Sequence, residues 1–446
     1  MDGPHPMHHA EHLAAMLILS AEGGAGGGAL RIFAAMVLLS GLAILATSRS
    51  FYRFQRHRLM ARYMSGGWIA VLIGFLLGPW GANVVTDEML LEVRPALMVG
   101  LGWIGAIIGL QARRSLLLSV PAAVRRWVAF DSVAMLVLIG LVGGLILGQW
   151  LSETDPAWWV APIGLLITAG IGWAAETRSL GEERSPAGRH LEVLVQAGAG
   201  LAAMVAVSIQ GLIMILPSRD GQGDVVLDVP TGALRLLATV LLATGVGFIG
   251  RYLLQQAGRE RRELLVIHIA MIAIISGIAS ELGVSPLFAA MLCGIVIANL
   301  GGPKLRDFER FIFRAEQPVA ILFALLAGVF LDPRLGLWGL ALVVALVTLR
   351  VCIKVPLMRL SLSRYHHAIP NRSPLFRAPL RQSLVALALG VSLVLYESSV
   401  LNQRLLTVVI IVGAISEVLP FLLARMQGDP PSAAEDRMRR AREAPA

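Results

Sequence analysis

The chain has 446 residues, of which 56% are hydrophobic and only 15% are charged, and its mean hydropathy is positive. Its apolar residues form runs of about 16 to 25 instead of one-sided helical stripes, so the composition excludes an ordinary soluble protein and indicates an all-α polytopic membrane protein. The formal charge of +9 is carried mainly by arginines between the runs, so it reflects topology and not a nucleic-acid surface.

Thirteen apolar runs are predicted to span the membrane as helices. In chain order they cover 29–48, 67–85, 96–111, 127–149, 157–176, 191–216, 232–253, 264–281, 286–300, 316–331, 336–359, 380–397 and 404–424. An odd number of spans places the two termini on opposite sides of the membrane. The predicted membrane domain therefore covers residues 29–424.

The charges of the connecting loops predict the orientation. Arginine clusters follow the odd-numbered spans, whereas the loops after the even-numbered spans are acidic or nearly uncharged, as with Asp87, Glu88 and Glu92. Because cytoplasmic loops carry an excess of Lys and Arg, this alternation places the N-terminus outside and the C-terminus in the cytoplasm. We expect a multi-pass protein of the cell membrane (inner or plasma membrane).

Two end segments lie outside the predicted membrane domain. Residues 1–28 are expected to form an extracellular tail, and residues 425–446 are expected to form a short cytoplasmic tail. The first tail contains four histidines, for which a metal site is conceivable and a mobile polar tail is the favoured interpretation. We predict neither a metal nor a cofactor, and Cys293 and Cys352 both fall inside spans, so neither suggests a disulfide.

The chain contains an internal repeat at a nearly constant offset. For example, GWIAVLIGFLLGPWG resembles PLFAAMLCGIVIANLGG. The matched glycines are Gly74 with Gly294, Gly109 with Gly328, and Gly170 with Gly390, at offsets of 220, 219 and 220 residues. Each pair is seven predicted spans apart, and an odd number of crossings inverts the second copy. Such inverted repeats, here roughly 67–216 and 286–424, are typical of secondary transporters.

Motifs for other functions are absent or misleading. GVGFIG at 245–250 has the letters of a dinucleotide-binding fingerprint, but it lies inside an apolar span with no preceding strand. The sequence contains no Walker motif, zinc-ligand spacing or nucleophile elbow. We therefore predict neither an enzyme nor an ATP-driven pump.

Six stretches taken together resemble one known family. IGFLLGPWG, IGLQARRSL, SELGVSPLFAAMLCGIVIAN, LFALLAGVFLD, VCIKVP and FRAPLRQSLVALALGVSLVL are similar to successive helices of the monovalent cation/proton antiporter superfamily. The similarity is to the branch with sodium/proton and potassium/proton exchangers. It implies an inverted-repeat antiporter fold with two crossing discontinuous helices. It also implies monovalent cations, protons and the lipid bilayer as partners, a homodimer as one arrangement, and no nucleic acid.

The resemblance assigns the two crossing helices to spans 157–176 and 380–397. The first carries Thr168, Gly170 and Gly172, and the second carries Gly390. Glycine tolerates an unwound backbone, and a threonine hydroxyl can satisfy a freed carbonyl or coordinate a cation. The alternative is that these glycines serve only close helix packing, which is common in membranes.

The family pattern places one or two ion-binding aspartates on the next helix, at positions that correspond here to Gly198 and Ala199. The expected carboxylates are therefore missing. Lys354 matches the lysine that many members place opposite those aspartates, and a lysine within a span is costly enough to need a reason. The alternative is that Lys354 extends along its helix to the cytoplasmic surface.

Four polar residues are candidates to replace the missing aspartates. Glu192 and Gln196 share the helix of the vacated positions, Asp131 lies one turn into its own helix, and Glu417 lies deeper. Asp131 and Glu417 could each pair with Lys354. The plainer interpretation is that Glu192 and Asp131 reach interfacial water, whereas Glu417 is hard to explain without a partner.

Three functions remain open at this stage. The leading hypothesis is a secondary active transporter, similar to Na⁺ or K⁺/proton antiporters, with a non-standard ion site. The second is an antiporter-fold protein that no longer transports and has a structural or regulatory role. The third is transport of an anion or a neutral solute, because losing two negative charges beside a retained cation reverses the local electrostatics.

Overall fold

A computed structural model describes most of the chain from residue 66 to residue 426. The described ranges are 66–150, 160–172, 186–219, 225–256, 261–300, 305–361, 379–396 and 399–426, together with the single positions 37 and 41. The first predicted span, 29–48, and both predicted tails lie almost entirely outside these ranges. The count of thirteen helices and the tail assignments therefore stay predictions.

The described residues form twelve longer helices, two six-residue helices and one β-hairpin. In chain order these are α1 (Gly66–Leu77), α2 (Asp87–Glu92), α3 (Arg94–Gln111), α4 (Arg114–Ser119), α5 (Ala122–Trp150), α6 (Val160–Ile171), α7 (Pro186–Ile215), β1 (Pro217–Arg219), β2 (Val225–Leu227), α8 (Val229–Gln256), α9 (Arg261–Glu281), α10 (Pro286–Leu300), α11 (Leu305–Val329), α12 (Gly336–Ser361), α13 (Leu384–Tyr396) and α14 (Val400–Met426). The predicted helical architecture is confirmed.

Length and composition fit a membrane protein. Within the described ranges, seven helices are long and apolar enough to cross a bilayer, and five further helices have shorter apolar stretches. A full crossing needs about 20 residues. The short helices include α6 and α13, the two that the resemblance assigns to the crossing. Short helices are expected there, because a discontinuous helix leaves part of its span as irregular backbone.

Some predicted boundaries were wrong for physical reasons. Helix α1 ends at Leu77 and not at residue 85, because Gly78, Pro79 and Gly81 follow and turn the chain. Helix α11 begins at residue 305 and not at 316. Its first two turns carry many charged residues, so they interrupt the apolar run without interrupting the helix.

The hairpin between α7 and α8 was not predicted. Its two three-residue strands pair in antiparallel register, with Pro217 opposite Leu227. Asp228 follows directly and caps α8, since its Oδ1 accepts a hydrogen bond from the backbone N–H of Thr231 at 3.2 Å. The side-chain and backbone hydrogen bonds from Thr231 lower the pKa of the Asp228 carboxyl below its usual value.

Glycines bring two pairs of helices into backbone contact. Between α1 and α11, a Cβ on Gly74 would overlap the carbonyl oxygen of Leu325. Between α3 and α10, a Cβ on Gly109 would overlap the carbonyl oxygen of Met291. In the sequence repeat α1 corresponds to α10, and α3 corresponds to α11. The α1–α11 contact in one copy therefore corresponds to the α10–α3 contact in the other. The same packing is therefore built twice, as an inverted-repeat fold requires.

The other helices of the repeat surround the two discontinuous helices, α6 and α13. Helix α5 packs against α12, α6 against α7, and α13 against α14, while α6 and α13 contact each other. Their buried apolar side chains form one continuous core with those of α1, α3, α10 and α11. The ends of α6 and α13 therefore lie inside the protein, where their free backbone groups need protein partners.

Candidate functional site

Arg350 satisfies the broken end of α6. This arginine is 1% exposed, and its Nη1 donates to the carbonyl oxygens of Ala169 at 2.6 Å, Gly170 at 2.8 Å and Gly172 at 3.1 Å. Its Nη2 donates to the carbonyl oxygen of Leu380 at 3.0 Å, in the segment before α13. A helix C-terminus carries partial negative charge, so a guanidinium is a suitable partner. One side chain thus joins both interrupted segments.

Lys354 lies one helical turn further along α12 and forms a buried ion pair. Its Nζ donates to Asp131 Oδ2 at 2.6 Å and to the carbonyl oxygen of Ile171 at 3.0 Å. The exposed fraction of the side chain is 0% for Lys354 and 2% for Asp131. Neither residue reaches interfacial water, so extension of Lys354 to the cytoplasmic surface and contact of Asp131 with interfacial water were both wrong interpretations.

One oxygen of this carboxylate is left over. Asp131 Oδ1 is buried and has no hydrogen-bond partner among the residues that the structure describes. An ionised carboxylate can accept about four hydrogen bonds, and a buried acceptor without a partner is costly. The pair is therefore incompletely satisfied beside the carbonyl end of α6, where a small cation would find oxygen ligands.

Glu417 has a different cation as its partner. Its Oε2 accepts hydrogen bonds from Nε of Arg381 at 2.8 Å and from Nη2 of the same arginine, and its Oε1 accepts from Trp68 Nε1 at 3.0 Å. Arg381 lies just before α13, so this cluster connects α13 to α1 and α14. Glu417 therefore does not pair with Lys354.

The vacated positions lie in the core. Gly198 and Ala199 are buried on α7, and Ala199 packs within the apolar cluster. The side chain of Gln196 is exposed, so it points away from the buried charges. The side chain of Glu192 is outside the described part of the structure. Of the candidate substitutes whose side chains the structure describes, only Asp131 contacts Lys354.

The predicted crossing residues take different places. The hydroxyl of Thr168 donates to the carbonyl oxygen of Leu165 at 3.0 Å, within its own helix. The carbonyl groups of Gly170 and Gly172 belong to the broken end that Arg350 holds. Gly390 lies inside α13 and faces the side chain of Leu406, as the packing alternative expects. Within the described ranges, no group of three or more His, Cys, Asp or Glu could hold a metal ion.

Sequence reasoning missed Arg350, Arg381 and Trp68. For Arg350 the signal was present, because this arginine interrupts an apolar span four residues before Lys354 and so lies on the same helix face. Arg381 lies at the start of a predicted span, where an arginine is ordinary. Trp68 gives no sequence signal that separates it from a core tryptophan.

Comparison with known proteins identifies the fold. No protein-family model and no curated protein matches the sequence. A structure of the sodium proton antiporter MjNhaP1 from Methanocaldococcus jannaschii at pH 8 matches with a TM-score of 0.60 and 14% identity, covering 90% of this chain and 98% of that one. An electron-microscopy structure of the same antiporter matches with a TM-score of 0.51, covering 87% and 95%. The chain thus has an antiporter fold, as the resemblance implied.

Proposed function

We propose that the chain is a secondary active transporter that exchanges Na⁺ or K⁺ for protons, with the Lys354–Asp131 pair as its ion site. The observation that carries the proposal is this pair, buried at the broken end of α6 with Asp131 Oδ1 unpartnered among the described residues. Ionisable groups inside a membrane domain usually mark an ion or proton pathway.

The pair provides a way to couple a cation to a proton. A cation that binds Asp131 has to replace the ammonium group at Oδ2. If Lys354 then releases a proton, its charge disappears, and the buried site again holds one carboxylate and one cation. One monovalent cation would thereby exchange for one proton, without a second charge remaining in a medium of low dielectric constant.

Arg350 would keep the site in place during this exchange. A guanidinium stays protonated at physiological pH, so Arg350 remains bound to the carbonyl groups on both segments while Lys354 titrates. In this proposal α12 carries Arg350 as a permanent cation that holds the backbone and Lys354 as a titratable cation that exchanges the proton. We also propose that the N-terminus faces outwards, from the loop arginines, and that the inverted repeats cover 67–216 and 286–424.

Flux through proteoliposomes tests the proposal. Purified protein should alkalinise the lumen, reported by a pH dye, when Na⁺, K⁺ or Li⁺ is added outside, because the entering cation exchanges for a proton that leaves, and Asp131→Asn should abolish this response. Arg404→Gln is the matched control, because it removes the partly exposed arginine from the ion pair with Asp332 and leaves the Lys354–Asp131 pair intact. A folded protein with no response to any of the three cations would reject the proposal.

A second candidate function is supported by the same residues. Arg350 and Lys354 already occupy the carbonyl groups at the end of α6, and the vacated positions are filled by apolar packing. An antiporter-fold protein with a structural or regulatory role would look like this. In that case the parent protein would show no cation-dependent proton movement, and Asp131→Asn would change stability alone.

A further inference from the structure

Gln382, in the segment before α13, takes part in none of the ion pairs described above. In this segment Arg381 binds Glu417, and Ser383 Oγ accepts a hydrogen bond from the backbone N–H of Val385 at 3.1 Å. Gln382 lies between them and is 2% exposed, yet neither its Nε2 nor its Oε1 has a hydrogen-bond partner among the described residues. A buried amide without partners is costly, so a ligand that bound it would remove this cost.

The amide of Gln382 lies close to other polar side chains. The amide lies against α14 at Gly413, where a Cβ would come within 3.0 Å of Gln382 Oε1 and would overlap the ring of Trp68. Glu417, one helical turn from Gly413, accepts the Trp68 N–H and the Arg381 guanidinium. The absence of a side chain at position 413 thus lets a neutral amide, an indole and a paired carboxylate meet.

The charges around Gln382 indicate which kind of ligand its amide would bind. Arg381 and Glu417 neutralise each other, and Ser383 accepts hydrogen bonds at the start of α13 from the N–H groups of Val385 and Ala386. What remains is the amide oxygen of Gln382, which lies near a carboxylate that is already paired. Oxygen ligands of this kind suit a hard monovalent cation, and a weak site is what transport needs, since an ion has to leave again.

We propose that Gln382 is an ion-binding residue, which presents its amide oxygen to the transported monovalent cation at a second position, beside Gly413 and Glu417. This inference rests on the proposed cation exchange. It adds a second, weaker cation-binding position on the α13–α14 side of the broken helices, which we call the second station. The site at Asp131 lies on the α5–α12 side, and Arg350 connects the two segments between them.

The test compares two buried glutamines that differ in position. In Gln382→Leu the amide is lost at the proposed station. In Gln210→Leu the same change is made on α7, where Gln210 is 0% exposed, also lacks described partners, and lies beside Gly164 of α6. Gln382→Glu supplies a stronger oxygen ligand, and the Tm of each variant without added cation reports whether it is folded. Each protein is measured for cation-dependent proton flux and for the rise in Tm in detergent with Na⁺ or K⁺, against choline at equal ionic strength.

The expected result is specific to Gln382. Gln382→Leu should raise the KM and the apparent Kd for the cation about tenfold, which corresponds to about 1.4 kcal/mol, while Gln210→Leu leaves both near the parent value and Gln382→Glu lowers both. Unchanged values in Gln382→Leu, or equal changes in both leucine variants, would overturn the inference. So would a protein that neither transports the cation nor gains Tm with it.

Failure of the inference can be told from failure of the proposed function. If the parent transports, Asp131→Asn abolishes flux and Gln382→Leu changes nothing, the second station is wrong and the exchange stands. If the parent does not transport but its Tm rises with the cation and Gln382→Leu weakens that rise, the station stands and the exchange is wrong.

Discussion

Lys354 Nζ lies 2.6 Å from Asp131 Oδ2, and this contact joins α12 to α5. These two helices correspond to each other under the inverted repeat, so the ion pair connects the two repeats instead of lying within one. Secondary transporters with inverted repeats place their ion sites at this interface. The pair therefore lies at the interface where such transporters have their ion site.

The first prediction concerns the stability of this pair. Asp131→Asn and Lys354→Gln should each lower the free energy of unfolding by about 3 to 5 kcal/mol, because each leaves an uncompensated buried charge. The double variant should recover much of this loss, since it leaves two neutral groups. Thermal unfolding in detergent measures the effect. Single variants as stable as the double variant would show that the two charges do not compensate each other.

The second prediction concerns the glycine contacts of the fold. Gly74→Ala should cost about 1 to 3 kcal/mol, because the added Cβ overlaps the Leu325 carbonyl and pushes α1 away from α11. Gly245→Ala, at a helical glycine with nothing within 4 Å of a Cβ, is the control and should be neutral or slightly stabilising. A Tm for Gly74→Ala at or above that of the control would contradict the described contact.

The fold was largely predictable because two strong signals carry it. Apolar runs fixed twelve of the described helices to within a few residues at most ends, and the glycine spacing revealed the repeat. The predictions were wrong where helicity and hydropathy diverge. The charged first turns of α11 are helical without being apolar, and the residues after Leu77 are apolar without being helical.

The site was less predictable because partners far apart in sequence define it. Sequence alone left both Asp131 and Glu417 as candidates to pair with Lys354, and the packing of α12 against α5 selects Asp131. Glu417 is 36 residues from Arg381 and 349 from Trp68, so no local sequence pattern predicts that these three residues meet. Gln382 has no distinguishing sequence signal, because it stands out only by lacking hydrogen-bond partners among the described residues.

The third prediction concerns the vacated positions. Introducing Gly198→Asp and Ala199→Asp together should create or strengthen cation/proton exchange, because both positions are buried on α7, where a carboxylate would compete for cations and protons. Proteoliposome flux measures the gain, and Gly198→Asn with Ala199→Asn is the uncharged control. A folded double-Asp variant with no added flux would reject the register that assigns these positions.

The fourth prediction concerns orientation, which rests on loop charge. In a background with Cys293 and Cys352 replaced, Gln222→Cys should react with a membrane-impermeant thiol reagent in intact cells. Glu309→Cys should react only after permeabilisation. Reaction of both from outside would contradict the predicted alternation of the spans.

The most direct test is the pH dependence of flux in Lys354→Gln, which deletes the ammonium and keeps approximate size and polarity. In the parent, protons compete with the cation, so the KM for Na⁺ or K⁺ should rise as the pH falls. In Lys354→Gln this dependence should be lost or strongly shifted, because the titratable partner of Asp131 is gone. An active Lys354→Gln protein with the parent's pH profile would contradict the assignment of this pair as the ion site.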